Sequence, residues 1–388
     1  MQDKKQSLVP ELRFPGFDGE WEVKKVKDIC NINTGKSNSQ DQVDNGQYPF
    51  YIRSAIPVRS NRYLYDCEAV ITIGDGQIGK VFHYVNGKFD LHQRCYMMSS
   101  FKDVNPRFFY YFFSENFYER AMRLSAKATV DSVRLEMISD MLISLPPSLP
   151  EQQKIAECLS SVDDLIQAEA DQLQALKDHK KGLMQQLFPQ EGETTPKLRF
   201  PGFEGEWEEK KLGEVCNVVD DKCDIGSLTM VTYISTENML QDFEGVKIAS
   251  KLPNSGSFTR FNKGDILFSN IRPYLKKVWQ AVFDGAASND VIVFRTLDGY
   301  DRLFVSQVIK SDRFIAHSMS GAKGVKMPRG DKKMMLDYLF SIPSLPEQQK
   351  IAECLSSLDE GIAAQQEKVE ALKEHKKGLM QKLFPNLQ

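Results

Sequence analysis

Hydrophobic positions step by four and three along two stretches of this chain. In the first they are Ile155, Leu159, Val162, Ile166, Leu173, Leu176, Leu183 and Leu187. In the second they are Ile351, Leu355, Leu358, Ile362, Val369, Leu372, Leu379 and Leu383. This is a heptad seam, which is buried only against a partner helix. The two stretches, Pro150 to Pro189 and Pro346 to Pro385, are copies: 28 of 40 aligned positions are identical. Each predicts one long helix of about 38 residues, a rod of roughly 57 Å at ~1.5 Å per residue. Ser148-x-x-Glu151 and Ser344-x-x-Glu347 fit capping boxes, with Pro150 and Pro346 in the first turn. Phe188-Pro189 and Phe384-Pro385 mark the ends. Polar residues interrupt the seam at Glu169 and Lys180 in one copy and at Gln365 and Lys376 in the other. Polar seam positions fix register more than they add stability. The simplest arrangement pairs the two helices with each other, antiparallel, within one chain.

A second repeat opens each half. Residues 10–31 and 196–217 agree at 15 of 22 positions, through Phe-Pro-Gly-Phe and then Trp21 or Trp207, which we expect to anchor each globular segment by packing. The helices stand 196 positions apart and the openers 186 apart, so the second insert is ten residues longer. Between opener and helix the halves share little. Both inserts read as mixed α/β. Tyr65–Ile73 and Lys80–Val85 are strand candidates, with turns at Gly74-Asp75-Gly76 and Asn86-Gly87, and Pro106–Arg123 is helix-like. In the second insert Gly264–Phe268, Lys277–Phe283 and Asp290–Arg295 read as strands and Asp301–Ser311 as helix.

Composition adds little: 41% hydrophobic and 27% charged residues suit a soluble globular protein. No apolar run is long enough to span a membrane, and the start does not read as a signal peptide. Seven cysteines without a C-x-x-C pair point to free thiols and a cytoplasmic location. The net charge of −3 does not advertise a nucleic-acid binder, but its distribution is uneven. Residues 22–147 carry 16 basic and 14 acidic side chains and residues 208–343 carry 19 and 17, whereas both helical segments are acidic. Any DNA-binding face must therefore be local.

Several motifs fail their own tests. Gly74-x-x-x-x-Gly79-Lys80 lacks the Ser or Thr of a phosphate loop and precedes a strand-like run rather than a helix. We read it as a tight turn lifting Gln77 and Lys80 off a sheet edge. Asn105-Pro106-Arg107 is the nearest approach to a base-methylation motif and reads as a helix start. The five histidines show no metal-ligand spacing, and no nucleophile, base and orienting acid can be assembled. The chain is expected to be non-catalytic and to bind no cofactor or metal of its own. Basic clusters remain: Arg53, Arg59 and Arg62; His92, Gln93 and Arg94; Arg260 to Lys277; and Lys323 to Lys333. Arginine pairs bidentately with guanine, glutamine with adenine, and lysine suits phosphate. The candidate DNA contacts are Arg53, Arg59, Gln77, Lys80, Gln93, Arg94, Arg272, Tyr274, Lys276, Lys277, Lys323, Lys326 and Arg329.

The repeated LPEQQKIAECL at Leu149–Leu159 and Leu345–Leu355, the paired openers, DILFSNIRPYLKKV at Asp265–Val278 and GDGQIGKV at Gly74–Val81 resemble the specificity subunits of Type I restriction-modification systems. The resemblance covers essentially the whole chain. It implies an α/β (α+β) fold: two mixed target-recognition domains (1–147 and, with the linker, 190–343) separated by two antiparallel coiled-coil helices (148–189 and 344–388). It implies that each domain reads half of a split, asymmetric duplex site and that the helices set the spacing. The expected partners are double-stranded DNA, two methyltransferase subunits that carry S-adenosylmethionine, and motor-nuclease subunits. A coiled-coil scaffold that binds only proteins is the competing reading.

Overall fold

The computed structural model describes residues 8–125, 132–190, 192–321 and 328–385. In the first half, the opener carries β1 (Glu22–Lys25) and a one-turn helix α1 (Val26–Ile29) and runs into β2 (Asn31–Thr34). Then come β3 (Tyr48–Tyr51), β4 (Val58–Ser60), β5 (Tyr65–Ile73), β6 (Phe82–Leu91) and β7 (Cys95–Ser99). The long α2 (Pro106–Ser125), a short α3 (Leu135–Ser139) and β8 (Leu142–Leu145) lead into α4 (Leu149–Leu187). The second half begins with β9 (Glu208–Lys211), α5 (Leu212–Val215), β10 (Cys216–Val218), β11 (Lys222–Asp224), β12 (Tyr233–Ile234) and β13 (Ser257–Phe261). It continues through β14 (Ile266–Ser269), β15 (Val278–Gln280), β16 (Gly285–Ala287) and β17 (Val291–Thr296). Helices α6 (Arg302–Ile309), α7 (Asp312–Ser320) and α8 (Lys332–Leu336), then β18 (Leu339–Ile342), precede α9 (Leu345–Leu383).

The chain divides into two units: Met1–Glu169 with Lys368–Gln388, and Ala170–Glu367. Each therefore takes the first half of one long helix and the second half of the other. The first unit has a six-stranded sheet, ordered β2-β7-β5-β6-β3-β4. Its central strand alternates as a two-residue period requires. Val70 joins Met98 and the α2 phenylalanines in one core, while Ala69, Ile71 and Ile73 join Phe89, Leu91 and Met97 in another. The second unit splits its strands between two four-stranded sheets, β10-β17-β14-β15 and β11-β13-β16-β12. There two shorter helices, α6 and α7, stand where the first unit uses α2.

Beneath these unlike inserts the frame is built twice from the same contacts. Arg13 of the first opener donates Nε and Nη2 to the Glu151 carboxylate at 2.8 and 2.9 Å. Arg199 does the same to Glu347, at 2.8 Å through both nitrogens. These glutamates are 1% exposed, so a carboxylate at each helix start is neutralised by a planar guanidinium. The capping-box expectation assigned them a different partner: the opener arginines, far away in sequence, take both carboxylates. The next residue is also committed. Gln152 Oε1 accepts from Asn105 N at 2.8 Å, and Gln348 Oε1 from Asp301 N at 2.9 Å. Asn105 and Asp301 in turn accept from Phe108 N and Phe304 N, so each starts the insert helix as expected of Asn105-Pro106-Arg107.

Opener and helix end are tied as well. Leu12 N donates to Lys382 O, and Leu198 N to Gln186 O, both at 2.9 Å. Trp21 packs edge-on against Phe108, which meets Phe384; Trp207 packs against Phe304 and Phe188. Both tryptophans are nearly fully buried, as packing anchors. Buried Cys30, Cys95 and Cys216 have their thiol pKa values pushed up to about 12 by burial, which makes them inert packing groups.

The helices pair antiparallel. In the first unit Asp163 meets Lys376 at 2.6 Å and Glu169 meets Lys368 at 2.7 Å, so the two sequences run in opposite directions. In the second unit the equivalent pair is Asp359 with Lys180, again at 2.6 Å. Both seam lysines thus find aspartates that the heptad pattern left on the flank. Each aspartate is also held by the insert: Tyr111 donates its hydroxyl to Asp163 at 2.8 Å and Gln307 its amide to Asp359 at 2.9 Å. All sixteen heptad positions are buried or half-buried, while His179 and His375 are exposed. One turn expectation is corrected. Asn86-Gly87 lies inside β6, paired with Glu68 and Cys67, because the long β5 supplies ladder partners past the turn signal.

Two outcomes follow from the frame. Glu151→Leu would leave the half-buried Arg13 without its counter-charge and should cost about 3 kcal/mol in urea denaturation. Adding Arg13→Met should recover most of that loss. The second outcome concerns pH. Burial alone would raise the Asp359 pKa, but Lys310 and Lys180 outweigh it and hold the carboxyl below its usual value. A depressed carboxylate stabilises the fold above its unfolded pKa, and that contribution is lost as pH falls through the folded value. The stability gap between the parent and Asp359→Asn should be full at pH near 6 and should close below about pH 4.

Candidate nucleic-acid interface

In the first unit the candidate surface is built where β5 ends. Gly74 N donates to Arg94 O at 2.8 Å, and a Cβ at Gly74 would lie 2.7 Å from that oxygen. Asp75 then bridges to Ser132. The turn that follows needs glycine at position 79, where φ is +67° and a Cβ would lie 2.9 Å from Tyr118 Cα. Ile78 plugs inward at 3% exposure while Gln77 and Lys80 stand outward, the geometry expected of this turn. Lys80 Nζ sits 5.3 Å from the Tyr118 ring centroid.

Beside the turn, Arg94 Nη1 donates to Asp75 at 2.7 Å and Arg53 Nη1 reaches the same carboxylate at 3.3 Å. A cleft of about 290 Å³ opens here, lined by Ser39, Ile52, Arg53, Ser54, Asp75 and Gly76. Gln93 donates its amide to Asn38 at 2.5 Å. His92 is buried, and its Nδ1 must accept from Arg94 N at 3.1 Å. Burial, then Arg53, holds its pKa below the usual value, so the ring is neutral and its Nε2 carries the proton. Arg53, Gln93 and Arg94 therefore share one rim with Gln77 and Lys80. Arg59 does a different job: its Nε and Nη2 donate to Gly46 O and Gln47 O at 2.8 and 2.7 Å. Its neighbour Arg62 meets Asp41 and Asp90.

In the second unit the corresponding loop is a 3-10 turn, Pro273–Leu275, flanked by two residues in the left-handed region, Arg272 (φ 55°) and Lys276 (φ 52°). Arg272 N is held by Pro328 O at 2.9 Å, which leaves its side chain exposed next to Tyr274, itself half exposed. Lys276 Nζ donates to Asp312 at 2.7 Å and Lys277 Nζ to Thr236 O at 2.7 Å. Burial, then Lys247, pulls the Lys277 pKa down. Arg329 donates to Asp290 at 2.8 Å. Lys323 and Lys326 lie outside the described residues. Arg272, Tyr274 and Arg329 are thus gathered on one loop pair by the Ile271–Arg329 bridge.

The sequence reading missed the aspartates. Asp75 and Asp290 carried no signal, because their partners are set by strand pairing. Among the described residues no cluster of His, Cys, Asp or Glu is placed to hold a metal ion. No helix among the described residues is long and apolar enough to cross a membrane. Three leucine pairs stay exposed at equivalent places in the two units: Leu12 and Leu198, Leu142 and Leu339, Leu149 and Leu345.

The chain is similar to known proteins over most of its length. The chain is 24% identical over 367 residues to the Type I restriction enzyme EcoDI specificity subunit of Escherichia coli, covering 87% of this chain and 81% of that protein. It is 24% identical over 418 residues to the Type I restriction enzyme MjaVIII specificity subunit of Methanocaldococcus jannaschii, covering 99% and 96%. Its fold is similar to the crystal structure of the S subunit of a Type-I restriction-modification system from M. genitalium, with a TM-score of 0.66, 16% identity and coverage of 98% and 100%. Residues 18–178 and 204–374 match the Type I restriction modification DNA specificity domain, one copy per half, and the chain belongs to that family, the specificity subunits of Type I restriction-modification systems.

Proposed function

We propose that this chain reads a split DNA target, one half-site per unit, and directs a methyltransferase to it. The observation that carries this reading is one frame, built twice from equivalent contacts, that presents two unlike polar rims. The recognition domains are then 1–147 and 190–343, and the helical segments 148–189 and 344–388 fix their separation. Each helix has 39 residues, about 58 Å at ~1.5 Å per residue. That exceeds one duplex turn of roughly 34 Å, so two half-sites on one face of the duplex are within reach. We assign base contacts to Gln77, Gln93, Arg53, Arg94, Arg272, Tyr274 and Arg329. Phosphate contacts fall to Lys80, Lys276, Lys277, Lys323 and Lys326, and Arg59 supports the rim.

The chain is inferred to be non-catalytic, with the methyl donor carried by the partner. The repeated leucines offer the same apolar surface twice, which suits two identical methyltransferase subunits, and motor-nuclease subunits complete the restriction complex. A net charge of −3 leaves much of the phosphate attraction to those partners. The seven free thiols suit the reducing cytoplasm where such a complex meets DNA.

Base-resolved methylation mapping tests the reading, in a host without its own adenine methylation. The chain is expressed with its methyltransferase subunit, and each is expressed alone as a control. A split motif modified only when both are present is the expected result. No motif, with both proteins soluble and co-purifying, would favour the scaffold. Arg94→Ala should relax one half-site and Arg272→Ala the other, each by about 2 kcal/mol, roughly 30-fold. Equal relaxation of both halves would contradict the division of labour. Leu142→Glu with Leu339→Glu should abolish co-purification of the methyltransferase while leaving the circular dichroism unchanged.

A further inference from the structure

The two rims look unrelated in sequence, but strand register aligns them. Ile73 faces Cys95 across the β5–β7 ladder, and Ser269 faces Val291 across β14–β17. One residue further on, Gly74 N donates to Arg94 O, and Asn270 N donates to Asp290 O, both at 2.8 Å. Arg94 and Asp290 therefore occupy the same structural position. The next residue makes the same isolated bridge in both units: Asp75 with Ser132, and Ile271 with Arg329. Beyond the bridge, Val133 N returns to Gly74 O and Gly330 N to Asn270 O. Each unit thus places one arginine–aspartate pair on this three-segment corner, but only the position before the strand changes from base to acid, since Asp75 aligns with Ile271 and Arg329 with Ser132. In the first unit the base precedes the strand and the acid lies on the loop; in the second the acid precedes the strand and the base lies across the bridge.

We infer that Asp75 and Asp290 are positioning residues for specificity: each holds the base-reading arginine of its own unit, Arg94 with Arg53 in the first and Arg329 in the second, aimed at guanine in its half-site. This rests on the DNA-reading function proposed above. The arginine side chains are 47 to 62% exposed, and exposed pairs contribute little to stability, so these contacts are not what holds the fold together. What they restrict is rotamer freedom. An arginine has many conformers, and a carboxylate on one nitrogen leaves the other donors of the planar fork available for the two acceptors of guanine. Among the described residues, the side-chain hydrogen bonds of Arg53 and Arg94 run through Nη1 alone and that of Arg329 through Nη2 alone. Asp75 is 17% exposed and serves two arginines, so its corner keeps a net positive charge towards DNA.

The test uses the full chain purified with its methyltransferase subunit and a duplex pool carrying a randomised segment; retained duplexes are sequenced. The parent complex should enrich a split motif. Asp75→Asn should flatten preference about tenfold at the G·C positions that Arg94→Ala or Arg53→Ala also flattens, in one half only. Asp290→Asn should do the same at the Arg329→Ala positions in the other half. Asp75→Glu should restore part of the preference. Melting temperatures should stay close to the parent value, so that loss of fold is read separately. The inference is overturned if the parent enriches a motif and Asp75→Asn leaves it intact. It is overturned equally if Asp75→Asn weakens both halves alike, or flattens positions that neither arginine variant touches, for the carboxylate would then be structural or itself the reader. If the parent complex enriches no motif, the DNA-reading function falls and the inference with it.

Discussion

A carboxylate buried in the first turn of a helix has to be neutralised, and this requirement organises the molecule. Glu151 and Glu347 are satisfied by Arg13 and Arg199, each located just before its own insert begins. The pair ties the start of a unit to the helix that leaves it. The neighbouring glutamine extends the tie to the insert helix through Asn105 or Asp301. The insert is then gripped at both of its chain connections, and what lies between is free to vary. That freedom is visible: one half folds a six-stranded sheet under a 20-residue helix, the other two four-stranded sheets with two shorter helices.

The long helices are joined by apolar packing along the seam and by ion pairs at its polar positions. In their middle stretches the seam alternates buried positions, Leu173 and Val369, with half-buried ones, Ile166, Leu176, Ile362 and Leu372. Register falls to Lys376 with Asp163 and Lys180 with Asp359, each aspartate being shared with an insert side chain. Polar contacts at such sites tolerate no slippage, because a shift of one residue strands a charge.

At the rims the same economy of charge recurs on exposed ground. Weak pairs that matter little to folding can still orient a side chain, and orientation is what separates a guanine reader from a solvated arginine. The overall charge of −3 leaves the basic side chains of the rims as local features.

The sequence by itself determined the periodic and the repeated. Helix α4 and helix α9, the strand Tyr65–Ile73, the helix start at Asn105-Pro106 and the outward pose of Gln77 and Lys80 follow from local pattern, which needs no distant partner. The seam lysines were visible, but not their aspartates, since antiparallel register pairs residues far apart in sequence. Asn86-Gly87 looked like a turn until a long neighbouring strand supplied its hydrogen bonds. Glu151 looked like a cap until Arg13 was folded onto it. The equivalence of Arg94 with Asp290 is invisible to alignment, because opposite charges share no letter. Only strand register reveals it, and register is set by which faces the core buries.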